Sequence, residues 1–246
     1  MKQIEKFQML SRYYDEQWGE WYKHHLPFLM NLLETSCPSK AEILDLGCGT
    51  GALVEYLCSL GHQAEGIDLS PEMINIARNR NLSGDRFRIQ NMCRFEPIKK
   101  YDLVTSTFFA LNYQEKDQLD DLFFSVSMSL KQGGIFFFDS YTEHLLKNNH
   151  HGTLQHSSGE LSFAEERIYE EKLKTAYTRF HFPDQTVEVH KQYPYNLTDL
   201  LGSIMTSGLY VLHSYGGFNG EPYVSDSEQL VCVVAKPVPG LKSANV

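Results

Sequence analysis

The chain has 246 residues, with 22 lysines and arginines against 31 aspartates and glutamates, and a formal net charge of −9. No basic patch or arm interrupts this acidic balance, so binding to a nucleic-acid backbone is not expected. No segment is long and apolar enough to cross a bilayer, and residues 1–6 lack the apolar stretch of a secretory signal. The five cysteines are scattered without a C-x-x-C pair, so we predict a cytoplasmic protein with neither disulfides nor a metal site.

The first forty residues are rich in aromatic side chains and helical in character, which predicts an N-terminal helical cap over residues 1–40. Strand-like and helix-like segments then alternate through residues 41–150, a pattern that favours a parallel α/β sheet. We predict its strands at Ala41–Leu46, Gln63–Ile67, Phe87–Gln90, Asp102–Ser106 and Ile135–Asp139. Helices are predicted to begin near Ala52, Pro71 and Lys116.

The alternation stops after residue 150. Residues 151–196 are predicted to form an antiparallel β insertion, with strands at Leu161–Ile168, Lys172–Phe182 and Thr186–Tyr193. The polar stretch that contains His150, His151 and His156 lacks helical metal-ligand spacing, so it is expected to be a surface loop. Residues 197–246 are predicted to complete the core sheet, with a helix near Thr198 and strands at Leu209–Tyr215 and Leu230–Ala235.

The most informative segment is the run Asp45-Leu-Gly-Cys-Gly-Thr-Gly51. It places an acidic residue at the end of a buried strand, followed by a glycine-rich turn and a helix. Such a turn lets the backbone approach a ligand closely, and the N–H groups at the helix start can hold an anionic group. A second acidic residue, Asp68, ends the next predicted strand, within reach of a ribose diol. Together these features predict a nucleoside-binding α/β domain.

Two cofactor classes fit this pattern. Gly47, Gly49 and Ala52 also satisfy the dinucleotide fingerprint G-x-G-x-x-G/A, which keeps an NAD(P)-dependent oxidoreductase as an alternative. A carboxylate at Asp45 would repel a pyrophosphate, whereas it suits S-adenosylmethionine (SAM), which carries an ammonium and a sulfonium group. The position of Asp45 therefore favours SAM.

The Asp45–Gly51 run resembles motif I of the class I, Rossmann-like SAM-dependent methyltransferases of the small-molecule type. The resemblance extends from Tyr13 to Lys236, with Asn91 standing where the family often has aspartate. It implies an α/β fold with a Rossmann-like seven-stranded sheet and an antiparallel β insertion after strand five. It also implies SAM as cofactor and methyl transfer to an O, N or C nucleophile of a small molecule.

The resemblance also implies a set of cofactor contacts. Asp45 is expected near the ammonium of SAM, Asp68 at its ribose, and Tyr14 over its methionine end. The glycines of the turn are expected to approach the methionine moiety, and four further side chains to surround the adenine. The complete set is Tyr14, Asp45, Gly47, Gly49, Gly51, Asp68, Leu69, Met73, Asn91 and Met92.

Candidates for the acceptor site follow the fourth and fifth predicted strands. Residues 107–113 lack the Asn/Asp-Pro-Pro-Tyr motif with which many base-amino methyltransferases hold a flipped base, which further disfavours a nucleic-acid substrate. Asn112 could orient a nucleophile, and Phe108 and Tyr113 are candidate substrate contacts. Asp139 is either a base or a structural carboxylate at a strand end.

The insertion supplies the remaining candidates. Alternate residues of a strand share one face, so Tyr177, Arg179 and His181 are expected to point the same way. Either this face covers the acceptor, with Arg179 meeting an anionic group and His181 acting as a base, or it faces solvent. A homodimer is a rival role for the insertion, because a hairpin edge can pair with another chain. A SAM-binding regulatory protein without catalysis is a third functional alternative.

Overall fold

Two β-sheets organise the chain in the computed structural model, which describes residues 2–80, 82, 84–158 and 161–238. The strands are β1 (Lys2–Ile4), β2 (Glu42–Leu46), β3 (Gln63–Asp68), β4 (Phe87–Ile89), β5 (Tyr101–Ser106), β6 (Leu130–Tyr141), β7 (Gly152–Ser158), β8 (Leu161–Glu170), β9 (Thr175–His181), β10 (Thr186–Gln192), β11 (Tyr210–Tyr215) and β12 (Gln229–Ala235). The α-helices are α1 (Ser11–Trp18), α2 (Leu26–Ser36), α3 (Ala52–Ser59), α4 (Pro71–Arg78), α5 (Leu119–Ser129), α6 (Glu143–Asn149) and α7 (Leu197–Thr206). Short 3₁₀ turns cover Trp21–His25, Ala110–Tyr113, Lys116–Gln118 and Glu171–Leu173.

The larger sheet has seven strands in the order β11-β12-β6-β5-β2-β3-β4. Strands β2 to β6 pair in parallel, whereas β12 runs antiparallel to both β6 and β11. The chain builds outward from β2 through β3 to β4 and then returns to place β5 on the other side of β2. Ligands of open α/β sheets bind at this switch point, outside the carboxyl ends of the strands. The predicted Rossmann-like seven-stranded fold is confirmed.

Apolar side chains bury this sheet on both faces. Phe136 and Phe138 of β6 pack in one cluster with Phe123 of α5. Phe137 points to the opposite face and packs in a second cluster with Leu29 of α2. A strand that is covered on both faces needs apolar residues at consecutive positions, which explains the unbroken apolar run in β6.

The smaller sheet has the order β1-β10-β9-β8-β7. Strands β7 to β10 pair antiparallel in succession and lie in the chain after β6, as predicted for the insertion. Strand β1 comes from the N-terminal segment and pairs in parallel with β10, with Lys2 opposite Thr186. The prediction of a helical cap over residues 1–40 is therefore incomplete. A strand of three residues is too short to show an alternation of polar and apolar side chains in the sequence. These residues form a strand because they pair with the edge of β10.

The polar stretch around His156 forms β7, so the predicted surface loop is wrong for Gly152–Ser158. Gln155 pairs with Ala164 of β8, and the His156 ring stacks on Phe163 at a centroid distance of 4.5 Å. Edge strands are commonly polar because one edge and much of one face remain in water. This composition hides β7 from a search for apolar alternation.

Three further observations limit the kinds of site that the described residues can form. None of the described helices has the length and apolar character of a membrane span. All five cysteines are free thiols. Over the described ranges, no three His, Cys, Asp or Glu side chains are grouped so that they could hold a metal ion.

Candidate active site

A cavity of about 980 Å³ opens at the carboxyl ends of β2, β3 and β5. Its walls come from the loops after these strands, from the N-terminal segment with α1, and from one face of the smaller sheet. Ligand pockets of proteins measure roughly 300–1,000 Å³. The cavity therefore has room for a nucleoside cofactor together with a second small molecule.

The glycine-rich turn forms one wall. Gly47 has φ 71°, and a Cβ there would lie 2.8 Å from the Cβ of Ala110, so the position requires glycine. Gly47 and Gly49 line the cavity. Gly51 does not line it. A Cβ at Gly51 would lie 2.6 Å from Cζ of Phe87, so this glycine serves the packing of α3 against β4 instead of a ligand.

Asp45 is the last residue but one of β2 and lines the cavity with only 3% of its surface exposed. Its Oδ1 accepts a hydrogen bond of 2.7 Å from the Thr105 hydroxyl. Burial raises the pKa of Asp45 to about 7, although the Thr105 hydrogen bond acts in the opposite direction. A cationic ligand would stabilise the ionised form of this buried carboxyl group.

Asp68 ends β3 and organises the turn opposite it. Its Oδ2 accepts the Gly49 N–H at 2.9 Å, and its Oδ1 accepts the Ser70 N–H at 2.8 Å. Each oxygen keeps a further lone pair for hydroxyl donors. Burial raises the pKa of Asp68, against the backbone hydrogen bonds that favour its ionised form.

The side chains expected around an adenine also line the cavity. They are Leu69, Met73, Asn91 and Met92. Leu69 is 64% exposed at the rim, and Met73 is buried. Oδ1 of Asn91 accepts the Cys93 N–H at 2.8 Å, which orients the Asn91 side chain. Gln90 was missed from the sequence, and its buried Oε1 has no hydrogen-bond partner among the described residues.

An aromatic wall closes the side of α1. The Tyr14 ring lies 5.6 Å from Trp18 and 6.0 Å from Phe108, and Phe108 stacks on Trp21 at 4.8 Å. All four residues line the cavity. Phe108 and Phe109 adopt φ values of 58° and 60°, which are strained for bulky residues and are typical of functional loops. Burial raises the pKa of Tyr14 well above its ordinary value, so its hydroxyl keeps its proton.

The two predicted polar residues after the fourth and fifth strands do not line the cavity. Asn112 is fully buried, and its amide donates to the Tyr193 carbonyl at 2.6 Å and accepts the Tyr141 N–H at 2.9 Å. Asp139 is fully buried, hydrogen-bonded to Nε2 of His25 at 2.9 Å and to the Phe109 N–H at 2.8 Å. Both side chains hold loops that shape the cavity, so their predicted contact with an acceptor is not observed.

The face of β9 that carries the predicted candidates is not the face that lines the cavity. Tyr177, Arg179 and His181 share one face of β9, as predicted, but they do not line the cavity. Arg179 and His181 both contact Glu166, at 3.2 Å and 3.3 Å. Polar and amphipathic residues occupy both faces of β9, so alternation alone could not distinguish them.

Comparison with known proteins agrees with this geometry. YqeM of Bacillus subtilis, named as a methyltransferase, is 34% identical over 131 residues, which cover 52% of this chain and 49% of YqeM. The structure of an S-adenosylmethionine-dependent methyltransferase from Clostridium acetobutylicum has a TM-score of 0.78 and 24% identity, covering 93% of this chain and 98% of that one. The family described as methyltransferase domain matches residues 43–134. Residues 43–134 thus match a methyltransferase domain in sequence, and the chain shares the fold of the solved Clostridium acetobutylicum methyltransferase.

The chain spans at most about half the length of the curated relatives it matches. Among solved structures, the SAM-bound amino pentose methyltransferase CalS10 of Micromonospora echinaspora has a TM-score of 0.66 and 18% identity, covering 94% of this chain and 97% of CalS10. The predicted resemblance to class I SAM-dependent methyltransferases is confirmed. The smaller sheet lies outside the matched segment 43–134.

The part of the cavity beyond the methyltransferase domain contains charged residues that the sequence did not single out. Glu165 and Arg167 of β8 line it together with Thr178, Phe180 and Gln192. Glu165 is 5% exposed, and its two oxygens contact Arg167 Nε at 2.6 Å and His156 Nε2 at 2.7 Å. Glu165 and Arg167 lie two positions apart on β8, and His156 lies on the neighbouring strand β7, so all three side chains share one face of the sheet. A search for ionisable residues of opposite charge at such positions could have found them.

Proposed function

We propose that this protein is a SAM-dependent methyltransferase that modifies a small molecule held between its methyltransferase domain and the smaller sheet. The observation that carries the proposal is Asp45, a nearly fully buried carboxyl group in the cavity wall that forms no salt bridge with the described residues. The ammonium group of SAM would supply a cation. A dinucleotide would instead bring an anionic pyrophosphate to the adjoining turn.

The other cofactor-side residues fit the same ligand. Asp68 has free lone pairs for the two ribose hydroxyls, and Oε1 of Gln90 is a buried acceptor without a partner among the described residues. Leu69 and Met73 supply apolar surface for a planar base. SAM supplies an activated methyl group when it is bound. The residues of this chain position both ligands and exclude water, which are the main requirements of an in-line displacement.

The acceptor side favours a small, polar molecule. Glu165 and Arg167 neutralise each other's charge, while Thr178 and Gln192 offer hydrogen bonds and Trp21 offers a buried indole N–H without a partner among the described residues. Residues of the smaller sheet line this space on one side. The net charge of −9 further disfavours a nucleic acid.

Calorimetry with SAM, S-adenosylhomocysteine and NAD tests the cofactor. We expect saturable binding of the first two and none of NAD. Asp45→Asn should weaken SAM binding, whereas Asp121→Asn, an isosteric change of a half-exposed acid on α5, should not. Saturable binding of NAD without a response to SAM would favour the oxidoreductase and reject the proposal.

Incubation with methyl-labelled SAM and a small-molecule metabolite extract tests the reaction. We expect label to appear in a small-molecule product that mass spectrometry can identify. SAM binding without any labelled product would favour the non-catalytic regulatory alternative. Light scattering of the same sample tests the predicted homodimer, and a gel-shift titration at low salt tests the expected absence of nucleic-acid binding.

A further inference from the structure

A buried line of polar side chains connects the smaller sheet with the cavity. His190 of β10 lies between two partners: its Nε2 is 3.2 Å from Glu188 Oε2, and its Nδ1 is 2.8 Å from the Tyr113 hydroxyl. Glu188 and His190 are fully buried, and Tyr113 lines the cavity. The cofactor contacts described above involve neither Glu188 nor His190.

The backbone determines the direction of these hydrogen bonds. Glu188 accepts the N–H groups of Phe7 at 2.9 Å, of Leu10 at 2.8 Å, and of Met9. Because backbone N–H groups only donate, Glu188 acts as a carboxylate acceptor toward all of them. His190 therefore donates its Nε2 hydrogen to Glu188. Burial lowers the pKa of His190, so its ring is neutral and Nδ1 presents a lone pair.

It follows that the Tyr113 hydroxyl donates to Nδ1 of His190. Burial raises the pKa of Tyr113 well above its ordinary value, so the phenol is neutral. Its hydrogen is directed to His190, and the remaining lone pair of its oxygen is available on the cavity side. Tyr113 can therefore accept a hydrogen bond from a ligand, and its own hydroxyl hydrogen connects it to His190 and Glu188.

We propose that Tyr113, His190 and Glu188 form a proton relay that serves a methyl acceptor with an N–H or O–H bond at its reacting atom. The proposal rests on the proposed methyltransferase function and narrows its acceptor to protic nucleophiles. The acceptor's nitrogen or oxygen forms a bond to the methyl carbon while the carbon–sulfur bond breaks and its electron pair goes to sulfur. The acceptor's proton moves to Tyr113, and the Tyr113 proton moves to Nδ1 of His190. Glu188 balances the resulting imidazolium, which later returns its proton through Tyr113 to water that enters the cavity after product release.

The surroundings of the relay suit this role. The rings of Phe7 and Phe180 lie edge-on at 4.6 Å and 4.9 Å from the His190 ring and keep water away from it. Besides Glu188 and the Tyr113 hydroxyl, the charged groups that act on His190 are Lys6, which lowers its pKa, and Glu165, which raises it. Lys6 also lies over the Tyr113 ring, with Nζ 5.6 Å from the centroid.

Substitution of the relay tests the proposal on turnover. Tyr113→Phe keeps the ring and removes the oxygen, and His190→Gln removes the base. With methyl-labelled SAM and the metabolite extract, both variants should lose about 100-fold or more in kcat, the size of a general-base contribution, with SAM affinity unchanged within about twofold. At saturating SAM, which removes the contribution of Asp45, the wild-type rate should fall at acidic pH as His190 becomes protonated, and this fall should be absent in His190→Gln. His181→Gln, a histidine on the neighbouring strand outside the cavity, should match the wild type.

Two results would overturn the relay. One is a product that is methylated on carbon, and the other is a Tyr113→Phe variant with kcat within about threefold of wild type. ¹⁵N NMR provides a readout that is independent of turnover: His190 should be the Nε2–H tautomer at pH 7, and its Nδ1 resonance should shift in Tyr113→Phe. The opposite tautomer would refute the proposed hydrogen-bond direction. A wild-type protein that binds no SAM would instead reject the proposed function, whatever the tautomer.

Discussion

Arg80, just after α4, reaches Asp15 of the N-terminal helix α1, with Nη2 2.9 Å from Oδ2. The other oxygen of Asp15 accepts the hydroxyl hydrogen of Thr50 in the glycine-rich turn, and Nη1 of Arg80 contacts Glu55 of α3 at 2.6 Å. These side chains fasten α1 to the methyltransferase domain. Tyr14, which precedes Asp15, is thereby held over the cavity.

The first prediction follows from this connection. Asp15→Ala should raise the SAM dissociation constant about two- to tenfold, as expected for loss of one or two hydrogen bonds, because α1 closes less firmly. Most of the change should lie in the dissociation rate, measured by stopped-flow displacement with S-adenosylhomocysteine. Glu20→Ala removes an exposed ion pair with Lys23 and serves as the control. Equal dissociation rates in the two variants would show that α1 does not retain the cofactor.

The second prediction concerns pH. Because burial raises the pKa of Asp45 to about 7, this carboxyl group is protonated in the free protein at acidic pH and must lose its proton to bind an ammonium. SAM affinity should therefore rise as pH increases toward 7, by up to about tenfold per pH unit, and level off above it. Calorimetry between pH 5 and about 7.5 measures this slope. Asp45→Asn should bind SAM weakly and reduce the slope, and a variant that keeps the wild-type slope would assign the titration to another group.

The third prediction compares two arginines on opposite faces of the smaller sheet. Arg167 lines the cavity beside Glu165, whereas Arg179 contacts Glu166 on the other face. Arg167→Met should raise KM for the acceptor about tenfold or more, because the buried Glu165 loses one of its two partners and the acceptor site changes charge. Arg179→Met should leave kcat and KM within about twofold. The reverse pattern in a methyl-transfer assay would place the acceptor on the outer face.

The fourth prediction concerns two glycines with positive φ. Gly61→Ala should lower the free energy of unfolding by about 1–2 kcal/mol, since its Cβ meets no atom within 4 Å and only the backbone conformation is unfavourable. Gly51→Ala adds a clash with the buried Phe87 ring, so about 2–5 kcal/mol is expected. Urea denaturation measures both. Equal losses would mean that Phe87 moves aside without cost.

The sequence predicted which residues of the glycine-rich turn and the neighbouring strand ends come together at one edge of the sheet. Chain connectivity alone brings the carboxyl ends of parallel strands to one edge, so Asp45 and Asp68 had to lie near each other once the strands were recognised. Every predicted cofactor contact lines the cavity except Gly51. The role of Gly51 could not be predicted, because it depends on Phe87, which is distant in sequence. The Phe87 ring fills the space that a side chain at Gly51 would need.

The acceptor half could not be predicted in the same way. Which face of an antiparallel strand meets the cavity depends on how the sheet docks, and β9 has polar residues on both faces. The relay of Glu188, His190 and Tyr113 depends on backbone donors from Phe7 and Leu10, which no local pattern connects with β10. Long-range pairing of this kind is set by tertiary packing and has no periodicity to detect.

The pairing of β1 with β10 has a consequence for folding. Phe7 and its acceptor Glu188 are separated by 181 residues along the chain. During synthesis the N-terminal segment has no edge to join until β10 emerges, and β11 and β12, which complete the larger sheet, emerge later still. Contacts of such high sequence separation form late. The enclosure of the cavity therefore waits for a pairing that spans most of the chain, and a chain without that pairing would have its cavity open to water.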